Sequence, residues 1–244
     1  MEYRIRFVDF PEHYQKIKSE VDSVIQEVLI GGDYILRRHL KEFEKNFAKF
    51  LDVKYAIGVA NGTDALFLSL KAANITESDE VITVAHTFAA TVSTISQCNA
   101  KPILVDIDQY HNIDVNCIEA AITEKTKCII PVHLNGRICD MDKIMKIASD
   151  HGLHIIEDAA QAVGARYKGR RAGSFGLTGC FSFYPAKILG TLGDGGMIVT
   201  NNKEIAKKLF LLRDHGQDRG TGEFLFHGFN SRLDNLHAAI LKIK

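Results

Sequence analysis

The 244-residue chain has no run approaching the ~18 apolar residues needed to span a bilayer. Its opening, MEYRIRFVDF, alternates charged with apolar side chains instead of building a secretory signal. Neither membrane insertion nor export is expected, and the cytoplasm is the expected address. Net charge is missing as well, since 30 basic residues balance 30 acidic ones. No global field draws the chain to nucleic acid or an acidic surface, so any anion has to be caught by local dipoles and a few side chains. Five cysteines, an odd number without a CxxC pair, argue against a disulfide framework and a zinc ribbon, and are expected as buried, reduced thiols. Cys117, Cys128 and Cys139 recur every eleven residues, but they fall in a helical, a strand and a pre-helical pattern, so the spacing is a coincidence. His151 and His154 lack the third ligand of a metal site, and no metal is expected. With four prolines, no repeat and no linker-like run, no internal domain boundary is marked.

Hydrophobic residues make up 46% of the chain, enough for one substantial core. Periodicity predicts a helix from about His13 to Leu29, a break at Gly31-Gly32 and a second helix from about Arg37 to Leu51. Strand-like runs follow at 55–60, 80–84, 101–106, 127–132 and 153–158. Helical patterns beginning near Asp64, Ala89, Val115 and Asp140 separate them. This βα alternation implies an α/β fold with a mostly parallel sheet and helices on its faces. Short strands are expected at GARYKG, CFSFY and GGMIVT, then a helix from about Lys203 to Arg213. A last helical pattern starts at Leu233 and has no closing cap, as in a truncated chain.

Open α/β sheets bind ligands beyond the carboxyl ends of their strands. After the first strand, Asn61-Gly62-Thr63-Asp64 runs into a helix whose free N–H groups suit a phosphate, although Thr or Asp there would cap any helix. After the second, Phe88 is either a stacking face for a flat heterocycle or a core residue. After the fourth, His133 is either a core histidine or part of a cleft. The fifth ends in Glu157-Asp158, with Gln161 three residues on. Adjacent acids point to opposite faces of a strand, so one of them can face a pocket. A carboxylate there can keep a pyridine nitrogen protonated, or bind a ribose or Mg²⁺. In CFSFYPAKILGT, Lys187 follows Ser182 by five residues. Its amine can join an aldehyde cofactor where a pocket adds an anion site and a fixed carboxylate.

Lys187, Gly62-Thr63 with Ser182, Asp158 and Phe88 together supply a lysine, a phosphate cradle, a pyridinium partner and a stacking face. The motifs NGTDAL, HTFAAT, VDID, PVHLNGR, IEDAAQAVGARYKGRRAGSFG, FSFYPAKILGTLGDGGM, LRDHG and GFNSRLDNLHAAIL, from about Gly58 to the last residue, resemble the DegT/DnrJ/EryC1/StrS family of sugar aminotransferases. The resemblance implies a pyridoxal 5'-phosphate-dependent transferase fold: a large domain built as an α/β/α sandwich over 36–232, after an N-terminal helical segment, 1–35. It also implies a smaller C-terminal domain of which only the start, 233–244, is present.

By the same resemblance, Lys187 bonds the cofactor aldehyde and moves the proton, and Asp158 pairs with the pyridine nitrogen. Gln161 sits near the phenolic oxygen and Phe88 stacks on the ring. Gly62, Thr63, Asp64 and Ser182 hold the phosphate, and Asn230 reaches the phosphate of a neighbouring subunit in a homodimer. The implied reaction is ping-pong transfer of an amino group from L-glutamate to a nucleotide-linked keto sugar. Two departures bear on specificity. The family's HLYG reads His133-Leu134-Asn135-Gly136, and its PSFTF-like run reads Ala85-His86-Thr87-Phe88. His86 and His133 are the candidate substrate-binding residues, and His86 resembles a histidine of members acting on 3-keto sugars, favouring a 3-keto over a 4-keto substrate. Alternatives are a dehydratase relative, against which Lys187 argues, and a non-catalytic pyridoxal-phosphate-binding regulator. A nicotinamide dehydrogenase is a third, but the turn after YAIGVA lacks GxGxxG.

Overall fold

In a computed structural model that describes residues 5–244, Asp9 caps the first helix, α1 (Phe10–Gly31), by accepting the Glu12 N–H at 3.1 Å. Gly32 ends it in the left-handed conformation. The first four residues of the expected segment 1–35 lie outside the described residues. Helix α1 buries only Val21 and Val28, whereas α2 (Arg38–Leu51) turns Leu40, Phe43, Phe47 and Leu51 inward at helical spacing.

The alternating unit then runs β1 (Tyr55–Val59), α3 (Gly62–Ala72), β2 (Glu80–Val84), α4 (Ala89–Gln97) and β3 (Lys101–Val105). It continues with a four-residue α5 (Val115–Ile118), β4 (Thr126–Ile129), α6 (Met141–His151) and β5 (His154–Asp158). A two-stranded hairpin, β6 (Arg166–Tyr167) and β7 (Arg170–Arg171), precedes β8 (Thr178–Ser182), β9 (Gly196–Thr200), α7 (Lys203–Leu212) and α8 (Asn235–Ile243).

Seven strands form one sheet in the order β1-β9-β8-β5-β4-β2-β3. Only β9 runs against its neighbours, so the sheet is mixed but mostly parallel, as the alternation implies. Alternate strand residues serve opposite layers. Ile57, Val59, Ile156 and Ile198 face α3, α4 and α7, whereas Ala56, Phe181, Met197 and Val199 face α2 and α8, and Ile82, Ile129 and Ile155 face α6.

Several local expectations shift. The helical pattern at Val115 gives one α-turn and then a 3₁₀ turn, and GARYKG contributes to the small hairpin rather than to the main sheet. The strand at CFSFY begins two residues earlier and stops at Ser182, because Tyr184–Thr191 leave the sheet to form a loop. Cys98, Cys128, Cys139 and Cys180 are buried free thiols, but Cys117 is half-buried. Among the described residues, no helix is long and apolar enough to cross a membrane.

Phe47 anchors α2 to the sheet, with its ring 5.2 Å from Phe181, 5.5 Å from Phe183 and 5.7 Å from Phe43. Phe47→Ala is expected to cost about 3–5 kcal/mol in denaturant unfolding. A loss below about 1 kcal/mol would show that α2 is not held by this cluster.

Candidate functional site

The carboxyl ends of β1, β2, β5 and β8 open onto a cavity of about 800 Å³. At the first, Asn61 caps α3 by accepting the Asp64 N–H at 2.7 Å. The Ala65 N–H bonds the Asn61 carbonyl, and the N–H groups of Gly62 and Thr63 have no acceptor among the described residues. Those two groups, the Thr63 hydroxyl and the positive end of the helix dipole have the chemistry that suits an anion. Ser182, at the end of β8, closes the same cradle. A Cβ on Gly62 would lie 2.7 Å from the Ser182 Cβ, so only glycine lets the helix start approach this closely. The cavity is lined by three carboxylates, Asp64, Asp158 and Asp194, against one lysine, so an anion here depends on N–H and hydroxyl donors more than on net charge.

The two acids of β5 part as the strand pleat requires. Glu157 is fully buried and bonded on all sides: it accepts the N–H groups of Gly173 at 2.7 Å, Phe175 at 2.6 Å and Gly176 at 2.8 Å, and it meets His133 Nε2 at 3.0 Å. Its work is to fold the RAGSFG turn. Asp158 lines the cavity, 6% exposed. It accepts only the Thr91 hydroxyl at 2.7 Å and the Ala160 N–H at 3.2 Å, and forms no ion pair among the described residues. Burial pushes its carboxyl up from the ordinary carboxylate value, and the two hydrogen bonds, His133 and Lys187 offset this only in part. A buried carboxylate without a bonded cation is costly, and a cationic N–H entering the cavity would repay that cost.

Lys187 sits on a loop pinned at both ends. The Thr191 N–H bonds the Phe183 carbonyl at 2.9 Å, and the Lys187 N–H bonds the Tyr184 carbonyl at 2.8 Å. Gly190 packs directly against the Pro185 and Tyr184 carbonyls, where a Cβ would collide with backbone. This accounts for the glycine that follows the lysine in the motif. The Lys187 amine has no hydrogen-bond or ion-pair partner among the described residues and lines the cavity. Gln161 lines it too. Its Oε1 takes the Asn135 N–H at 2.8 Å, which leaves the amide NH₂ as the free end. Phe88 is 71% exposed, an open aromatic face on the cavity wall.

Nine of the eleven expected site residues thus meet in one cavity: Gly62, Thr63, Asp64, Phe88, His133, Asp158, Gln161, Ser182 and Lys187. Two stand apart. His86 is exposed outside the lining, its ring 5.3 Å from that of His111. Asn230 is exposed and bridges to Asp214, while its neighbour Ser231 accepts the Ala60 N–H at 3.2 Å, beside the α3 cradle. His133 is both of the things its sequence leaves open, part of the cavity lining and a core histidine. It is fully buried, with Nε2 on Glu157 and Nδ1 receiving the Cys139 N–H at 3.3 Å. Residues missed by sequence reasoning are Thr87, Tyr184 and Asp194 on the wall and Thr91 behind Asp158. All four lie inside the motifs HTFAAT and FSFYPAKILGTLGDGGM, where their polarity beside assigned residues was the available signal.

These residues fit a phosphorylated pyridine aldehyde. The free N–H pair suits the phosphate, the uncompensated carboxylate suits a protonated ring nitrogen, Phe88 suits the ring face and the unpaired amine suits the aldehyde.

The family model for the DegT/DnrJ/EryC1/StrS aminotransferase family matches residues 15–244. A pleiotropic regulatory protein of Geobacillus stearothermophilus is 46% identical over 98% of this chain and 64% of its own length. The UDP-2-acetamido-2-deoxy-3-oxo-D-glucuronate aminotransferase of Pseudomonas aeruginosa is 47% identical over 97% of this chain and 66% of its own. Among solved structures, S. venezuelae DesV in complex with a ketimine intermediate superposes with a TM-score of 0.95 at 43% identity, covering 99% of this chain and 65% of DesV. Bacillus subtilis NtdA with bound cofactor PMP superposes at 0.88 and 37% identity, covering 93% of this chain and 52% of NtdA. The chain spans just under two thirds of the length of the two curated relatives. It belongs to the DegT/DnrJ/EryC1/StrS aminotransferase family, which is pyridoxal-phosphate-dependent.

The state of Asp158 can be tested without any ligand. Its folded-state proton affinity is raised, so its contribution to stability is present at low pH and lost as pH rises through the folded value. Ligand-free Asp158→Asn is expected to melt at or above the parent temperature at pH 8, with the difference shrinking toward pH 5. A parent that gains on the variant as pH rises would contradict the assignment.

Proposed function

We propose that this chain carries the cofactor-binding and catalytic residues of a pyridoxal-phosphate-dependent aminotransferase that moves an amino group from L-glutamate to a nucleotide-linked keto sugar. The observation that carries this is the presence, in one cavity, of a buried carboxylate, Asp158, and an amine, Lys187, neither of which has an ion-pair partner among the described residues. A 3-keto sugar is favoured over a 4-keto sugar. The support is the 3-oxo sugar in the name of the Pseudomonas relative, since His86 stands outside the cavity lining of this chain.

When bound, pyridoxal phosphate supplies an aldehyde that joins amines and a ring that draws electrons from their α-carbon. Asp158 would hold the proton on the ring nitrogen, and the Gly62 and Thr63 N–H groups with the Thr63 and Ser182 hydroxyls would hold the phosphate. Phe88 would cover one ring face, and the Gln161 NH₂ would donate to the phenolic oxygen. Lys187 Nζ would hold the aldehyde between turnovers. Once displaced by the donor, it would take the proton from the donor's α-carbon, and in the second half-reaction it would return a proton at the sugar carbon that receives nitrogen. Asn230, exposed beside the α3 cradle, is assigned to the phosphate of a second copy, which makes a homodimer the working unit. In the proposed domain division, 36–232 forms the cofactor-binding unit and 233–244 a C-terminal segment, whose Leu233, Ala238 and Leu241 pack into the same core as α2.

The test is the visible absorbance of the chain mixed with pyridoxal phosphate. A band that is absent from Lys187→Ala and is lost on adding L-glutamate is expected, with transfer to a keto-sugar nucleotide at least about a hundredfold slower in the variant. An identical spectrum in parent and variant would overturn the assignment. A band indifferent to glutamate, with a keto sugar losing water, would identify a dehydratase instead.

A further inference from the structure

Helix α4 carries two fully buried threonines three residues apart, and they take different outlets. Thr94 Oγ1 bonds the Ala90 carbonyl at 2.9 Å, the outlet that a helix offers any internal threonine. Thr91 Oγ1 instead leaves its helix for Asp158 Oδ2 at 2.7 Å, and it lies 2.8 Å from Thr87 Oγ1. Neither hydroxyl caps the helix, whose N-cap, Phe88, has no side-chain cap bond. Thr87 is half-buried and lines the cavity. Two hydroxyls therefore run in line from the cavity wall to the back of the buried carboxylate.

The direction of this chain follows from proton counting. An ionised carboxylate only accepts, so the one proton of Thr91 is committed to Asp158 Oδ2, and the contact with Thr87 is made by the Thr87 proton. The Thr87 donation polarises the Thr91 hydroxyl and strengthens its bond to the charge. Asp158 Oδ1 receives the Ala160 N–H at 3.2 Å. The groups facing Asp158 from elsewhere are His133 from the loop after β4, Lys187 from the loop after β8 and the Cys180 thiol of β8. Its strand neighbour Glu157 is turned to the RAGSFG turn.

We propose that Thr91 is a positioning residue for Asp158, with Thr87 as the second link, and that this two-hydroxyl relay keeps the carboxylate ionised and aimed at a pyridine ring in the cavity. The proposal rests on the pyridoxal phosphate reading above, but its chemistry belongs to this chain with or without the cofactor.

Thr91→Val keeps the shape and removes the hydroxyl, Thr91→Ser keeps the hydroxyl, and Thr87→Val cuts the outer link. Absorbance titration with pyridoxal phosphate should show about tenfold weaker binding for Thr91→Val, near-parent binding for Thr91→Ser and an intermediate loss for Thr87→Val. The pH at which the bound-cofactor spectrum changes should move by about one unit in Thr91→Val only. Parent-like affinity and pH profile in both valine variants would overturn the relay. Thr87→Val leaves the buried core intact, and parent-like behaviour there would overturn the outer link even if Thr91→Val fails to fold. A second readout needs no cofactor: between pH 5 and 8, ligand-free Thr91→Val should lose more melting temperature than the parent, and Thr91→Ser should not. If the parent binds no pyridoxal phosphate, the cofactor reading fails while this melting comparison still decides the relay. Parallel melting curves for parent and Thr91→Val would overturn it.

Discussion

A carboxylate buried at the end of a central strand, held by neutral donors and bonded to no cation among the described residues, is the constraint around which the site is arranged. Asp158 can occupy that position because β5 lies in the middle of the sheet between β4 and β8, which places its carboxyl end deep beneath the flanking loops. Burial there works against the charge. The surrounding structure supplies enough hydrogen bonding to place the carboxylate and too little to offset its burial, an arrangement that a cationic N–H would complete. The other elements of the site have counterpart roles: α3 presents N–H groups for an anion, the loop after β8 presents an amine, and α4 braces the acid from behind.

Glu157 shows how the strand pleat separates structure from chemistry. One residue away from Asp158 and on the opposite face, it accepts three backbone N–H groups and meets a histidine, so its charge is spent on folding the turn that follows. His133 also ties the loop after β4 to the base of the site, since its backbone N–H donates to the Asp158 carbonyl at 3.0 Å. One strand end therefore carries a fully satisfied acid and another that lines the cavity.

Much of this was legible in the residues. The βα alternation gave the mixed, mostly parallel sheet, and the rule that ligands bind beyond strand ends selected the loops that line the cavity. Local periodicity misled where tertiary contacts decide the outcome, as at Val115, where a helical pattern yields a single turn, and at Ser182, where the strand yields to the lysine loop. His133 could not be resolved from sequence because its role depends on Glu157, 24 positions away, and on the Cys139 N–H. The link from Thr91 to Asp158 spans 67 positions and has no local signature. His86 is a candidate only by its resemblance to a histidine of members acting on 3-keto sugars, and the structure leaves it outside the cavity lining.

The central claim is that Asp158 makes the cavity a site for a protonated pyridine nitrogen. The ¹⁵N chemical shift of pyridoxal phosphate labelled at the ring nitrogen, recorded on the protein-bound cofactor, addresses it most directly. The expected result is a protonated nitrogen that stays protonated as the solution is made mildly alkaline, and that loses its proton in Asp158→Asn. An unprotonated ring nitrogen in the parent, or a shift unchanged by the substitution, would contradict it.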